Sequence, residues 1–160
     1  MPNFDQQALR AAYGCFPSGV TALCALVDGR PVGMAASSFS SVSLEPPLVS
    51  VCVQSNSATW RKLQAAARLG VSVLSEAHAI ACRQLASKAD DRFAGIQWSA
   101  SGEGAVFIEG SSAWLDCSVF ESFCAGDHEI VLLRVEGFET SPDISPLIFH
   151  ASRFKQLLLS

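Results

Sequence analysis

Apolar and polar positions along the chain mark out short strands broken by tight turns, with helical spacing in only a few places. Asp5 to Tyr13 reads as a short helix stopped by Gly14 and Pro17. Val20 to Val27 is an apolar run, Asp28-Gly29 is a hairpin signal, and Pro31 to Ala36 begins the return strand. Pro46-Pro47 excludes a helix, and Leu48 to Val53 reads as a buried strand. Ser57 can cap a helix reaching Leu69, with Trp60, Leu63 and Ala67 on one face. Gly70 to Leu74 reads as a strand. Ala77 to Ser87 reads as another helix, turning Ile80, Leu85 and small alanines to the core, and residues 88–96 form a polar loop. From Ala113 to Phe120 the chain alternates, with Leu115, Cys117 and Val119 on one face and Asp116 and Ser118 on the other. A Gly126-Asp127 turn leads into Glu129 to Val135, and Pro146 to Phe149 closes the set. This pattern predicts one mainly β, barrel-like domain over residues 1–160 with helical decoration. Its tight turns argue against the βαβ repetition of a Rossmann fold.

Composition sharpens that picture. Hydrophobic residues make up 49 % of the chain and charged residues 16 %, too little polar surface to cover a monomer well, so a homodimer is expected. A net charge of −4 with no basic run argues against nucleic acid as a partner. Met1 to Arg10 is polar and acidic where a secretory signal is basic and then apolar, and no apolar run is long enough for a membrane span. A cytoplasmic protein is expected. The six cysteines, at 15, 24, 52, 82, 117 and 124, include several in apolar runs, such as Cys24 and Cys52, where reduced cysteine acts as a small core residue. With no CxxC and three scattered histidines, neither a disulfide scaffold nor a metal site is expected.

Four stretches carry candidate chemistry. Gly33 to Ser43 holds five serines in seven residues; it suits either a flat ligand lying on the backbone or an ordinary polar loop. Gln54-Ser55-Asn56-Ser57-Ala58-Thr59 leads into a predicted helix, whose N-terminus suits phosphate, although Ser57 also serves simply as a cap. His128 stands between Asp127 and Glu129 at a strand start, as a donor, a proton shuttle or a turn residue. His150 and Arg153 leave the last strand together, to grip a pyrophosphate or carboxamide or to face solvent as a tail. No Walker lysine, GxGxxG, serine nucleophile elbow or paired catalytic carboxylates occur.

Gly33 to Val49 (GMAASSFSSVSLEPPLV) resembles the signature of the flavin reductase-like, FMN-binding split-barrel family. So do Phe16 to Thr21, Asp91-Arg92-Phe93-Ala94-Gly95, Ala113-Trp114-Leu115-Asp116-Cys117 and Gly126-Asp127-His128, in the family's order. The resemblance is best to the short reductase components of two-component flavin monooxygenases. It implies a split β-barrel dimer with flavin at the interface. It further implies hydride transfer from NADH or NADPH to FMN or FAD, and delivery of reduced flavin to a separate monooxygenase. On the same basis Ala35, Ala36, Ser37 and Ser38 line the isoalloxazine and ribityl side. Gln54, Ser55, Ser57 and Thr59 hold the ribityl chain and phosphate, and Lys88 gives a basic contact. His128 positions the nicotinamide and is the catalytic candidate; His150 and Arg153 belong to a tail folding over the dinucleotide. Two positions depart from the pattern: Ala35 stands where many relatives have threonine, and Phe149-His150-Ala151 where they have a Tyr-His-Arg-like tail. The alternatives are a flavin- or haem-binding split-barrel protein without turnover, an oxidase of pyridoxamine-phosphate type, and a ligand-free structural dimer.

Overall fold

The computed structural model describes residues 3–158. Helix α1 (Gln6–Gly14) is capped by the Asp5 carboxylate, which accepts from the Gln7 N–H at 3.1 Å. The chain continues through β1 (Ser18–Gly19), β2 (Thr21–Val27), β3 (Arg30–Ala36), β4 (Ser40–Leu44) and β5 (Pro47–Gln54). Then come α2 (Ala58–Leu63), β6 (Leu69–Val73), a 3-10 turn at Glu76–His78, and α3 (Ala79–Leu85). The remainder is β7 (Trp98–Ala100), β8 (Val106–Ile108), β9 (Ala113–Ala125), β10 (His128–Thr140), β11 (Ile148–His150) and β12 (Arg153–Lys155).

Seven strands form an antiparallel sheet in the order β3-β2-β6-β9-β10-β5-β4. The two outer strands, β3 and β4, do not pair, so the sheet stays open: the mainly β, split architecture expected from the sequence. Strand β2 is apolar from Ala22 onward because both its faces are covered. Leu23 and Ala25 join one cluster with Val51, Trp60 and Leu133, while Ala22 and Cys24 join another with Leu74, Leu85 and Ile108. The β2–β3 hairpin turns on Asp28 and Gly29, both at positive φ (52° and 77°), as a two-residue turn of this kind requires.

Several expectations shift. Helix α2 ends at Leu63 rather than Leu69, and Ala67 is exposed. Beyond Leu63 the chain turns back to enter β6, and Arg68 is drawn to Asp116 (3.1 Å) and Glu103 (2.6 Å). Ile80 points outward, 75 % exposed, and Cys82 and Leu85 are the buried positions of α3. The phase of α3 is set by the preceding turn. There His78 Nδ1 accepts from the Ser75 N–H (3.0 Å) and Nε2 lies 2.8 Å from the Glu109 carbonyl oxygen. Strands β9 and β10 run 13 residues each, well past the predicted stretches. A register shift between Leu132 and Leu133 interrupts the alternation, and Val119, though opposite Leu133, is 38 % exposed. Ser40 to Ser43, read as loop, lie in β4, and β7, β8 and β12 went unpredicted.

The core reading of the cysteines holds for Cys24 and fails for Cys52. Cys24, Cys82 and Cys117 are buried, whereas Cys15, Cys52 and Cys124 are exposed. In β5, Val49, Val51 and Val53 turn inward, so Cys52 faces out with Ser50 and Gln54. Burial raises the thiol of Cys117 to about 12 and pushes those of Cys24 and Cys82 up as well. Since the thiolate is the reactive form, these three are expected to resist a thiol-specific disulfide reagent at pH 8 until the protein unfolds. Rapid native-state modification of Cys24 or Cys117, read by mass spectrometry, would contradict this placement.

Candidate functional site

The serine-rich stretch connects β3 to β4, and its central hydroxyl ties it to the sheet. Ser38 Oγ accepts from the Cys52 N–H at 2.8 Å and donates to the Cys52 carbonyl at 3.2 Å, continuing the pairing between β4 and β5 in side-chain form. Thr21 Oγ1 donates to the Ala36 carbonyl at 2.8 Å and fixes the end of β3. Ser37 is left exposed between these anchors.

Strand register unites two of the other candidates. His128 pairs with Gln54 across β10 and β5, and the Ser55 N–H donates to the Asp127 carbonyl at 3.0 Å. The Gly126-Asp127-His128 turn therefore lies against the Gln54–Ser57 segment. His128 Nδ1 and Asp127 Oδ1 are 2.7 Å apart. The hydrogen bond from His128, and then its charge, hold the Asp127 carboxyl below its usual range. With Nδ1 so engaged, Nε2 is the ring atom free to meet a ligand. Ser57 Oγ accepts from the Trp60 N–H at 3.1 Å, so its cap role is realised, on a helix of only six residues.

The tail forms its own wall. Strands β11 and β12 make a hairpin that pairs with β1, and the Ala151 N–H donates to the Gly14 carbonyl at 2.9 Å. Phe149 and Phe154 lie side by side (centroids 5.6 Å apart), and the Arg83 guanidinium sits 5.0 Å above the Phe154 ring. Together with Ala35, Ala36 and Ser37 they line a cleft of about 240 Å³. His150 and Arg153 are cross-strand neighbours at the hairpin turn, and Lys155 Nζ donates to His150 Nδ1 at 2.8 Å. Neither lines the cleft; the adjacent phenylalanines do.

A second cleft, about 310 Å³, opens between α2, the start of β3 and the loop Ala89–Phe93. Thr59 and Lys62 reach it from α2, and the exposed Lys88 immediately precedes its loop. Arg92 Nη1 donates to the carbonyls of Gly33 and Leu85, both at 3.3 Å, and the Phe93 N–H donates to Asp91 Oδ1 at 3.0 Å, which fixes the loop. A larger groove of about 380 Å³, floored by Trp114 and Asp116, contains none of the predicted site residues. Among the described residues no cluster of three His, Cys, Asp or Glu side chains could hold a metal ion.

Sequence reasoning missed Arg83, Lys62, Phe149 and Phe154. Lys62 had a signal in its spacing, three residues after Thr59 on one helix face. Phe149 ends the predicted closing strand, but Phe154 lies on the short return strand beyond the turn, which no alternation in the sequence marks.

The fold finds its counterpart in a known family. The flavin reductase like domain matches residues 13–158, and the chain belongs to that family. Similar proteins include a flavin reductase of Pseudomonas putida, 40 % identical over 147 residues, covering 91 % of this chain and 86 % of that protein. The reductase subunit HsaB of a flavin-dependent monooxygenase from Mycobacterium tuberculosis is 38 % identical over 150 residues, covering 92 % of this chain and 80 % of its own. Among solved structures, the NADH:FAD oxidoreductase SgcE6 of Streptomyces globisporus C-1027, in complex with NAD and FAD fragments, matches with a TM-score of 0.90. It is 35 % identical, and the match covers 96 % of this chain and 93 % of that one.

Proposed function

We infer that the protein is an NAD(P)H-dependent flavin reductase that reduces FMN or FAD by direct hydride transfer and supplies reduced flavin to a partner monooxygenase. The observation that carries this reading is the β5–β10 register, which sets His128 opposite Gln54 and against Ser55. On the roles that the family resemblance implies, the residue proposed for the nicotinamide thus lies beside those proposed for the flavin.

The cleft chemistry fits these ligands. Ala35 and Ala36 offer a wall without bulky side chains, and Phe149 and Phe154 offer aromatic faces, a combination that suits a flat ring. Ser37, Ser38, Gln54, Ser55, Ser57 and Thr59 offer hydroxyl and amide groups for a ribityl chain and phosphate, with Lys88 as a cation nearby. The flavin supplies a hydride-accepting ring and the nicotinamide its donor, so the protein's task is orientation more than proton transfer. His128, held through Nδ1 by Asp127, presents Nε2 in fixed orientation to a carboxamide. His150 and Arg153 stand on the tail for the dinucleotide's polar half.

A homodimer accounts for the exposed apolar side chains of the β9–β10 hairpin, where Val119, Phe120, Phe123 and Ile130 lie uncovered. A cytoplasmic location agrees with six free cysteines, since reduced thiols persist in that compartment. No helix among the described residues is long and apolar enough to cross a membrane.

Purified protein is expected to oxidise NADH or NADPH, followed at 340 nm, only when FMN or FAD is added. It should elute at twice the 17.0 kDa chain mass. A folded protein that binds flavin yet turns over no nicotinamide–flavin pair would favour the binding-protein alternative.

A further inference from the structure

We propose that Lys62 binds the second phosphate of FAD, with the cleft beside it receiving the adenosine ribose, so that the enzyme selects FAD over FMN. The inference rests on the flavin-reductase reading and concerns the far end of the same ligand.

The two clefts differ in chemistry. The tail cleft is apolar apart from Ser37 and Arg83. The second carries Thr59, Lys62, Asp90, Asp91 and Arg92, and its volume of about 310 Å³ is enough for a small polar fragment. Both open along β3, one at Pro31–Gly33 and the other at Ala35–Ala36, with midpoints roughly 12 Å apart at the usual strand rise. A ligand with a flat ring at one end and a phosphate–ribose unit at the other matches that pairing.

The groups that hold the flavin chain run from Ser38 through Gln54 and Ser55 to Thr59. Lys62 lies three residues beyond Thr59 on the same face of α2, about 4.5 Å further along the helix axis. FMN ends at its single phosphate, at the level of Thr59. FAD continues by one phosphate and a nucleoside, and Lys62 is the next polar group it meets.

Availability singles out Lys62. Arg92 is anchored through Nη1 to two backbone carbonyls, which fixes its guanidinium on the loop, and Asp91 accepts from the Phe93 N–H. Among the described residues, Lys62 and Asp90 line the cleft without a hydrogen-bond or ion-pair partner, a free cation for phosphate and a free carboxylate for ribose hydroxyls. Lys62 is exposed, so its replacement leaves the core intact.

The test compares FMN and FAD in wild type, Lys62→Gln, Lys62→Arg and, as a charge control, Arg61→Gln. Two readouts are used: KM in the NADH assay, and Kd from quenching of flavin fluorescence, which needs no turnover. For Lys62→Gln the KM and Kd for FAD should rise about five- to tenfold, a surface ionic hydrogen bond discounted for screening. Those for FMN should stay within about twofold, and kcat should hold with either flavin. Lys62→Arg should recover most of the loss, and Arg61→Gln should show no FAD-specific effect. Equal shifts for FMN and FAD, no shift for FAD, or a raised KM for NADH with both flavins would overturn the assignment. Absence of NADH turnover in wild type would instead strike the reductase reading, and the fluorescence titration would still decide the role of Lys62.

Discussion

Gly70→Ala is expected to destabilise the protein severely, with a sharp loss of soluble yield and a much lower urea midpoint. Gly70 lies in β6, directly beneath β8, and a Cβ there would sit 1.9 Å from the Val106 carbonyl oxygen and 2.7 Å from its carbon. The obstacle is backbone, and that backbone cannot retreat. Val106 and Ile108 are buried, the Ile108 N–H donates to Ser72 Oγ at 2.9 Å, and Ala105 bridges to Ala25. Overpacking of this kind costs about 3 kcal/mol or more, a large share of the ~5–15 kcal/mol that holds a typical domain together. Gly137→Ala is the matched control: no heavy atom lies within 4 Å of the added carbon, so the change should stay within about 0.5 kcal/mol. Soluble yield and urea midpoints measure both. A Gly70→Ala protein with the wild-type midpoint would mean that β8 does not cross β6 as described.

His128→Ala is expected to lower kcat/KM for NADH by about 10- to 100-fold, the scale of losing one or two polar contacts to a bound ligand. Flavin affinity should stay within about twofold, since His128 faces Gln54 without being tied to it by a hydrogen bond. Asp127→Asn should cost less, because an amide oxygen still accepts from His128 Nδ1 and holds the ring. The Asp127 carboxyl titrates below its usual range, so it stays ionised throughout the neutral region, and a pH profile there should not reflect its protonation. Separate titrations of NADH turnover and flavin fluorescence distinguish the roles. Equal loss of flavin binding and NADH turnover in His128→Ala would move this histidine to the flavin.

The sequence revealed local features well and tertiary ones poorly. The β2–β3 hairpin was legible in Asp28-Gly29, the buried strand in Leu48 to Val53, and the Ser57 cap in its own side chain, because each depends on a few neighbouring residues. The stopping point of α2 was not, since the strand entry at Leu69 and the pull of Asp116 and Glu103 on Arg68 override helical spacing there. Ile80 was misplaced because the phase of α3 depends on His78 reaching Glu109, a contact spanning 31 positions. The serines of β4 read as loop because their strand lies at a sheet edge, where polar side chains cost nothing. Cys52 was taken as core from an apolar run whose alternate members face opposite ways. At the candidate site, His128 and the Gln54–Thr59 cluster could be named separately from sequence, but only the register brings them together. Lys62 and Arg83 stayed hidden because a lone cation on a short helix declares nothing until its cleft exists.

The strand order has a consequence for how the chain is made. The sheet consists of two halves, β3-β2-β6 and β5-β4, joined only through β9 and β10. Each half can form early from near neighbours, and the two pack through shared core side chains, but no hydrogen-bonded ladder links them until the long hairpin emerges from the ribosome. At roughly 5–20 residues per second, His128 follows Gln54 by on the order of 4–15 s. Through that interval the edge of β5 that pairs with β10 stands open to other nascent chains. Insertion of the hairpin then completes the sheet and brings the Asp127-His128 turn against Ser55 in one event, so a chain too slow to complete this step leaves both the β5 edge and that turn without their partners.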